Sequence, residues 1–355
     1  MLIDNVKLTR IATGIMHAAG APLAYAALVA DHLVEANLKG HDSHGVGMVE
    51  SYVHGMLQGL VAADRDVELV SDNGSILTFD GGRGLGRIVG MQATEQGMAR
   101  ARETGVCCVA LGNASHLGRI GLFGERCADD GLISMHYVNV VGHDPSVVAH
   151  GGRDRRFITN PFCCVVPRPD GNHVVLDMAT STVAAGKVRV AQLKGLPMQD
   201  GALVDADGNP TNDPNILSAK SPGALTPFGE HKGYGLMVMC ELLGGALGGN
   251  FTMQPGNARK GSTINNMFSV IINPGAVGGR EGFADEVGVM LEYIVASETI
   301  EGVDQVLLPG DPERLRREQL MKDGIGVDEN SWKLFLASGE RAGFGAEQVE
   351  AILAA

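Results

Sequence analysis

FDGGRGLGRIVG, residues 79–90, is the stretch on which the fold turns. It follows a β-rich run at 75–80 and leads into a helix expected over 88–103, the setting of a dinucleotide-binding fingerprint. Its glycines at 84, 86 and 90 spell G-x-G-x-x-x-G, not G-x-G-x-x-G. The next run, VCCVAL at 106–111, ends in Gly112-Asn113, where that fingerprint wants an acidic residue to grip a ribose. The residues favour a tight structural turn over a standard Rossmann site.

On the N-terminal side of this stretch the chain reads as helical. Pro22 opens a helix whose apolar residues, Leu23, Ala27, Ala30, Val34 and Leu38, keep helical spacing up to Gly40. Asp42 or Ser43 is expected to cap a second helix reaching Gly59, with Val46, Val49, Val53, Met56 and Leu60 as its stripe. On the C-terminal side, β-rich runs at 132–138, 162–167, 173–178 and 263–272 alternate with helices expected at 119–130, 182–194, 232–246 and 282–296. After LLPGDPE (307–313) the chain returns to helix, with Asp311 as cap and Pro312 in the first position. The expected class is α/β (α+β). A helical domain, 1–75, is joined by the C-terminal helices of 311–355 and accompanies a sheet-containing domain, 76–310.

The chain has 355 residues, 45% of them hydrophobic, which excludes wholesale disorder. Only 19% are charged, below the usual share, so part of the surface is expected to be hidden in an oligomer. The net charge of −13 argues against nucleic acid or an anionic membrane as partner. Six scattered cysteines without a C-x-x-C read as reduced thiols. The N-terminus lacks an apolar signal core, and LMVMCELLGGALGG (236–249) contains Glu241 and is too short to span a bilayer. The protein is expected to be cytoplasmic, with no membrane partner.

Four motifs carry chemistry. In His41-Asp42-Ser43-His44-Gly45, two histidines three apart beside an acid can hold a metal, cap a helix, or present His44 as a catalytic or cofactor-facing imidazole. Ser43 and His44, as neighbours on a helix, are expected to point about 100° apart and not to pair. Helical spacing carries Met48, Ser51, Tyr52 and Gly55 toward the His44 stripe, and His54 away from it. LGNASHLGRIG (111–121) leaves a strand and enters a helix. His116 there can move a proton, and Arg119 can take a carboxylate or phosphate through two parallel bonds. Asp177, at the end of VVLDM (174–178), can take ribose hydroxyls or cap the turn at Thr180-Ser181. In PFGEHKGYGL (227–236), His231 and Lys232 open a helix, where a lysine is favourable only beside an anion.

Together with Thr159-Asn160-Pro161-Phe162 and Gly186-Lys187, these motifs resemble the malate/L-lactate dehydrogenase family of the second type, in its order and over nearly the whole chain. HDSHGVGM, HLGRIG, ITNPFC, FGEHKGYGL and LLPGD are similar to its hydroxycarboxylate dehydrogenase branch. The resemblance implies an NAD(P)-dependent oxidoreductase of 2-hydroxy and 2-oxo acids, a homodimer, no catalytic metal, and a mixed, largely antiparallel nucleotide domain that is not a Rossmann fold. It places His44 at the nicotinamide and substrate end and makes His116 a proton-transfer candidate, with His44 the alternative carrier and Ser43 orienting or relaying. Gly118, Arg119 and Ile120 would line the cofactor, as would Val175, Leu176, Asp177, Met178 and Ala179. His231, Lys232 and Asn265 would do likewise, with Gly310, Asp311, Pro312 and Glu313 closing over it. The acidic balance leans toward NAD over NADP.

One departure bears on substrate. Many members carry Arg four residues after the motif histidine; here that position is Met48. A thioether cannot hold a carboxylate, so that role falls to Arg119, with Arg153 or Arg189 as alternatives. Met48 and Tyr52 would then meet an apolar tail. Other readings are a cyclic-imine reductase using Ser43, His44 and His54, a metal-dependent hydrolase or lyase using His41, Asp42 and His44, and a non-catalytic nucleotide-binding protein.

Overall fold

The structure, a computed structural model, describes residues 1–355 apart from 218–222, 250, 258–260 and 279. Its chain begins with α1 (Asn5–Ala18), capped by Asp4, whose carboxylate accepts from the Val6 and Lys7 N–H groups. Next come α2 (Leu23–Leu38) behind Pro22, and α3 (Val49–Leu57). Between α2 and α3 the expected continuous helix is broken into two 3-10 turns, 42–44 and 46–48, with Gly45 extended between them. Asn37 of α2 causes the break. It donates to Asp42 Oδ1 (2.7 Å) and accepts from the Val46 N–H (2.8 Å). A Cβ at position 45 would lie 2.2 Å from the Asn37 Oδ1.

A seven-stranded sheet follows. Its strands are β1 (Glu68–Asp72), β2 (Ile76–Asp80), β3 (Val106–Ser115), β4 (Ile133–Val141), β5 (Phe162–Val166), β6 (Val174–Met178) and β7 (Ile264–Ile272). Their spatial order is β1-β2-β3-β7-β4-β5-β6. Only β2 and β3 run parallel; the other five pairs are antiparallel. The sheet starts at 68, earlier than the expected 76, because Glu68–Asp72 pairs with β2 although its side chains are mostly exposed. α4 (Gly86–Thr104) and α5 (Gly121–Asp129) cover one face. A smaller five-stranded sheet gathers short strands from 147–157 and 203–225 beside α6 (Ala185–Lys194).

α7 (His231–Cys240) continues as a π-turn over Glu241–Leu247. Then come α8 (Arg280–Val295), α9 (Asp311–Asp323), α10 (Glu329–Ala342) and α11 (Ala346–Ala354). The cap of α9 is Gly310, with Asp311 already inside; the Asp311 carboxylate reaches back to the Leu308 N–H (2.7 Å). Among the described residues no helix is long and apolar enough to cross a membrane.

Two cores result. One joins Leu8, Ile15, Leu33 and Val53 to Phe335 and Val349 from the far end of the chain, where Leu2–Ile3 also pairs with Ile325–Gly326. The other packs Phe79, Leu111 and Met267 of the sheet against Phe123 of α5. Each such side chain contributes about 1.5–3 kcal/mol by leaving water.

Inside the sheet, His136 of β4 is fully buried between two hydroxyls, Ser269 Oγ at 2.7 Å and Ser134 Oγ at 3.0 Å. Burial pushes its pKa down from 6.5 to about 4. Between those values the unfolded chain binds the extra proton, so acid favours unfolding. His136 is expected to remove about 1.4 kcal/mol of stability per pH unit as pH falls from 6.5 toward 4, and nothing above 6.5. Urea unfolding of wild type and His136→Gln at pH 7, 6 and 5 checks this. Equal pH slopes for the two proteins would refute it.

Candidate functional site

β3 ends at Ser115, and the chain then turns under control of two adjacent asparagines on β7. Asn265 Oδ1 accepts from the Leu117 N–H (2.8 Å), and Asn266 Oδ1 accepts from the Asn113 N–H (2.8 Å). The β7–β3 register shifts between Asn265 and Met267, which lets these neighbours serve opposite ends of one loop. His116 stands on its crest. The glycine-rich turn of 81–86 passes beneath, so close that a Cβ on Gly86 would lie 2.2 Å from the His116 carbonyl oxygen. This is the structural turn expected from the sequence.

Two elements, α3 and the 42–44 turn, converge on His116. The Tyr52 hydroxyl of α3 lies 2.8 Å from its Nδ1. The ring of His44 stacks against it, centroids 5.5 Å apart and planes 18° from parallel. Ser43 Oγ lies 3.0 Å from the His44 Nδ1. Ser43 and His44 do pair, contrary to the helical expectation, because the tight turn at 42–44 replaces an α-helix. His54 is exposed and is not among the residues that meet His116.

Burial keeps both rings neutral. His116 is pushed down to about 3, first by desolvation and then by His44 and His143. His44 is also lowered, chiefly by burial, with Asp177 opposing and His41 and Arg119 adding to it. Burial holds the Tyr52 hydroxyl well above its ordinary value, so it keeps its proton.

The cationic candidate behaves differently from expectation. The Arg119 side chain is only 2% exposed. It donates to Glu125, lies 3.8 Å from Asp177, and belongs to a chain of charges in which Lys39 binds Glu125 (2.8 Å) and Glu35 (3.3 Å). As folded its guanidinium faces Glu125 and Asp177. Asp177 caps neither Thr180 nor Ser181. Its Oδ2 accepts from the Gly121 N–H at the start of α5 (2.7 Å), leaving Oδ1 without a partner among the described residues.

The remaining expected residues lie around this centre. On β6, the Val175 N–H donates outward to the Pro309 carbonyl (2.9 Å), which docks the 310–313 turn on the sheet edge. Strand alternation puts the Asp177 N–H on the same open edge. Glu313 reaches to within 3.6 Å of His41 Nε2, so His41 and His44 serve different partners. Gly186 of α6 abuts Ser43, since a Cβ there would lie 3.0 Å from the Ser43 Cβ. His231 and Lys232 are exposed at the start of α7, His231 within 6.0 Å of the His150 ring. The Lys232 and Gly233 N–H groups donate to Gly229 and Phe228 carbonyls, so the side chains, more than the helix end, are offered to an anion. Met48 is partly buried against the helical core beside Tyr52. Asn265 is buried and holds the His116 loop. Asn37 and Asn266 escaped the sequence reading; their signal is an asparagine among apolar neighbours in a helix or strand.

Residues 3–335 match the family model described as malate/L-lactate dehydrogenase. Hydroxycarboxylate dehydrogenase B of Escherichia coli K12 is 41% identical over 328 residues, 92% of this chain and 90% of that one. The L-lactate dehydrogenase of Cupriavidus necator is 37% identical over 334 residues, 94% of this chain and 95% of that one. Among solved structures, an Escherichia coli protein described as a candidate malate/lactate dehydrogenase superposes with a TM-score of 0.95 at 39% identity, covering 100% of both chains.

The Arg119 geometry predicts a structural cost. Arg119→Met leaves the buried carboxylates of Glu125 and Asp177 under-compensated and should lower unfolding stability by about 3 kcal/mol in the ligand-free protein. Urea denaturation measures it. A change below about 0.5 kcal/mol would mean that the guanidinium does not hold this network together.

Proposed function

This chain belongs to the malate/L-lactate dehydrogenase family and is a 2-hydroxycarboxylate dehydrogenase; from that premise we propose that His116 carries the proton in the interconversion of 2-hydroxy and 2-oxo acids. The observation behind this reading is the Tyr52–His116 hydrogen bond beside the stacked His44 ring. A bound nicotinamide supplies or takes the hydride. The protein handles the proton. The Tyr52 hydroxyl can donate to a bare Nδ1 or accept from an Nδ1–H, so it fits both states of His116 and leaves Nε2 for the substrate oxygen. Burial disfavours an imidazolium in the empty site, and an arriving carboxylate supplies the opposite charge that favours one. His116 thus takes up a proton as a 2-oxo acid binds, and gives it to the oxygen that becomes the hydroxyl.

The residues fit a nicotinamide cofactor along the open edge of β6. Val175 to Ala179 offer backbone, the free Asp177 Oδ1 suits a ribose hydroxyl, Lys232 suits a phosphate, and Gly310 to Glu313 flank the edge. The antiparallel pairing around β6 supports a nucleotide site built without a Rossmann crossover. The chain's acidity favours NAD over NADP. With Arg119 engaged internally, the substrate carboxylate falls to Arg189, exposed on α6 one turn beyond the Gly186 that touches Ser43. The tail then meets Met48 and Tyr52. The six free cysteines support a cytoplasmic setting. The Ser43–His44 bond favours one second reading, reduction of a cyclic imine.

Two tests follow. His116→Ala should lower turnover by 10²–10⁴-fold with cofactor affinity unchanged, and phenylpyruvate should exceed oxaloacetate in kcat/KM. Steady-state kinetics with 2-oxo acids and cyclic imines decides. Turnover within threefold of wild type moves the proton to His44, an oxaloacetate preference removes the apolar-tail argument, and imine-only activity selects the second reading. We also propose a homodimer. Val289, Met290 and Tyr293 of α8 are 63%, 50% and 75% exposed on one chain, an apolar surface that a second copy would cover. Light scattering should give twice the chain mass, reduced by Val289→Asp with Tyr293→Asp; a wild-type monomer at micromolar concentration would refute it.

A further inference from the structure

Arg83 occupies an unusual backbone conformation. Its φ is +59°, in the left-handed region, directly opposite Asn113 at φ +57°. Asparagine tolerates that region and glycine enters it freely; an arginine there crowds its own Cβ against the backbone. Such a residue persists where its side chain does something that glycine or asparagine cannot.

The guanidinium supplies that reason. Arg83 Nε donates to the Leu60 carbonyl (2.7 Å), just beyond α3, and Nη2 donates to Ser262 Oγ (2.5 Å), just before β7. Its backbone ties the same place together. The Arg83 N–H donates to the Asn113 carbonyl (2.7 Å), and the Arg83 carbonyl accepts from the Ala62 N–H (2.9 Å) and from Ser115 Oγ (2.9 Å). One residue thus holds three segments. The first follows the helix that carries Tyr52, the second carries His116, and the third leads to Asn265, which grips the Leu117 N–H.

We propose that Arg83 is a positioning residue, the strut that sets the distance between the Tyr52 hydroxyl and His116 Nδ1. The proposal rests on His116 as the proton carrier. Removing the strut lets the end of α3 move away from the His116 loop and admits water to a ring that desolvation holds neutral. The groups facing that ring are Tyr52 of α3, His44 of the 42–44 turn, His143 beyond β4 and His32 of α2, with Arg87 of α4 lining the same cavity, and all of them are retained when Arg83 is replaced.

The test compares Arg83→Gly, Arg83→Asn and Arg83→Lys with wild type and His116→Ala, reading kcat, KM for the nicotinamide, the pH profile of kcat and Tm. Gly and Asn relax the backbone, so Tm should hold within a few degrees while kcat falls about tenfold through misplacement of the proton carrier. KM for the nicotinamide should stay within twofold. The pKa on the acidic limb of kcat should rise toward that of an ordinary histidine, and Lys, with one donor restored, should recover part of the rate. A kcat within twofold of wild type in Arg83→Gly, with His116→Ala inactive, overturns the strut and leaves the proton carrier standing. A rate loss that follows a fall in Tm, with the pH profile unmoved, overturns it too. Full activity in His116→Ala overturns both.

Discussion

The hydrogen bond between Tyr52 and His116 joins the helical core to the core of the seven-stranded sheet. Tyr52 is packed with the helical core, through neighbours drawn from both ends of the chain. His116 belongs to a loop fixed by the sheet, through Asn265 and Asn266 of its central strand. A 2.8 Å contact between side chains so differently anchored is satisfied only when the two bodies sit in one relative position. The surrounding features follow from that requirement. The glycine-rich turn must be thin enough to pass under the loop, Gly45 must be extended to lay His44 beside His116, and burial must be deep enough to keep both imidazoles uncharged.

The buried charges around Arg119 meet a related demand. A guanidinium, three carboxylates and an ammonium lie in sequence from α5 to α2, and Arg317 of α9 adds its bond to Glu35 (2.9 Å). Charges withdrawn from water are tolerated only when paired and hydrogen-bonded. Here the pairing connects the first strand-to-helix turn after His116 with the helix before His44, and it keeps the local charge nearly balanced beside two neutral histidines. An unpaired cation at the same depth would push both rings further from protonation.

The family and the reaction class are legible in the sequence. Periodicity located most helices and strands. The signals that failed were those that depend on long-range contacts. Nothing local says that Asn37 will interrupt a helix five residues later, because its acceptor and donor roles exist only once 42–46 fold back on it. Arg119 reads as a surface anion-binder until Glu125 and Asp177 arrive from six and 58 residues away. Strand β1 lacks an apolar alternation, being an exposed edge, and was placed in the preceding domain.

The pairing of Leu2–Ile3 with Ile325–Gly326 has a bearing on the order in which the molecule takes shape. The sheet and its covering helices come from one continuous middle stretch, so that core can close while later residues are still being added. The helical core cannot. Leu8, Ile15 and Leu33 emerge before the sheet, and Phe335 and Val349, which cover them, emerge after it. During synthesis the first helices therefore wait with an apolar face uncovered, beside a sheet already in place. Helices made before the sheet are covered by helices made after it, so the junction of the two cores forms only when both sets are present.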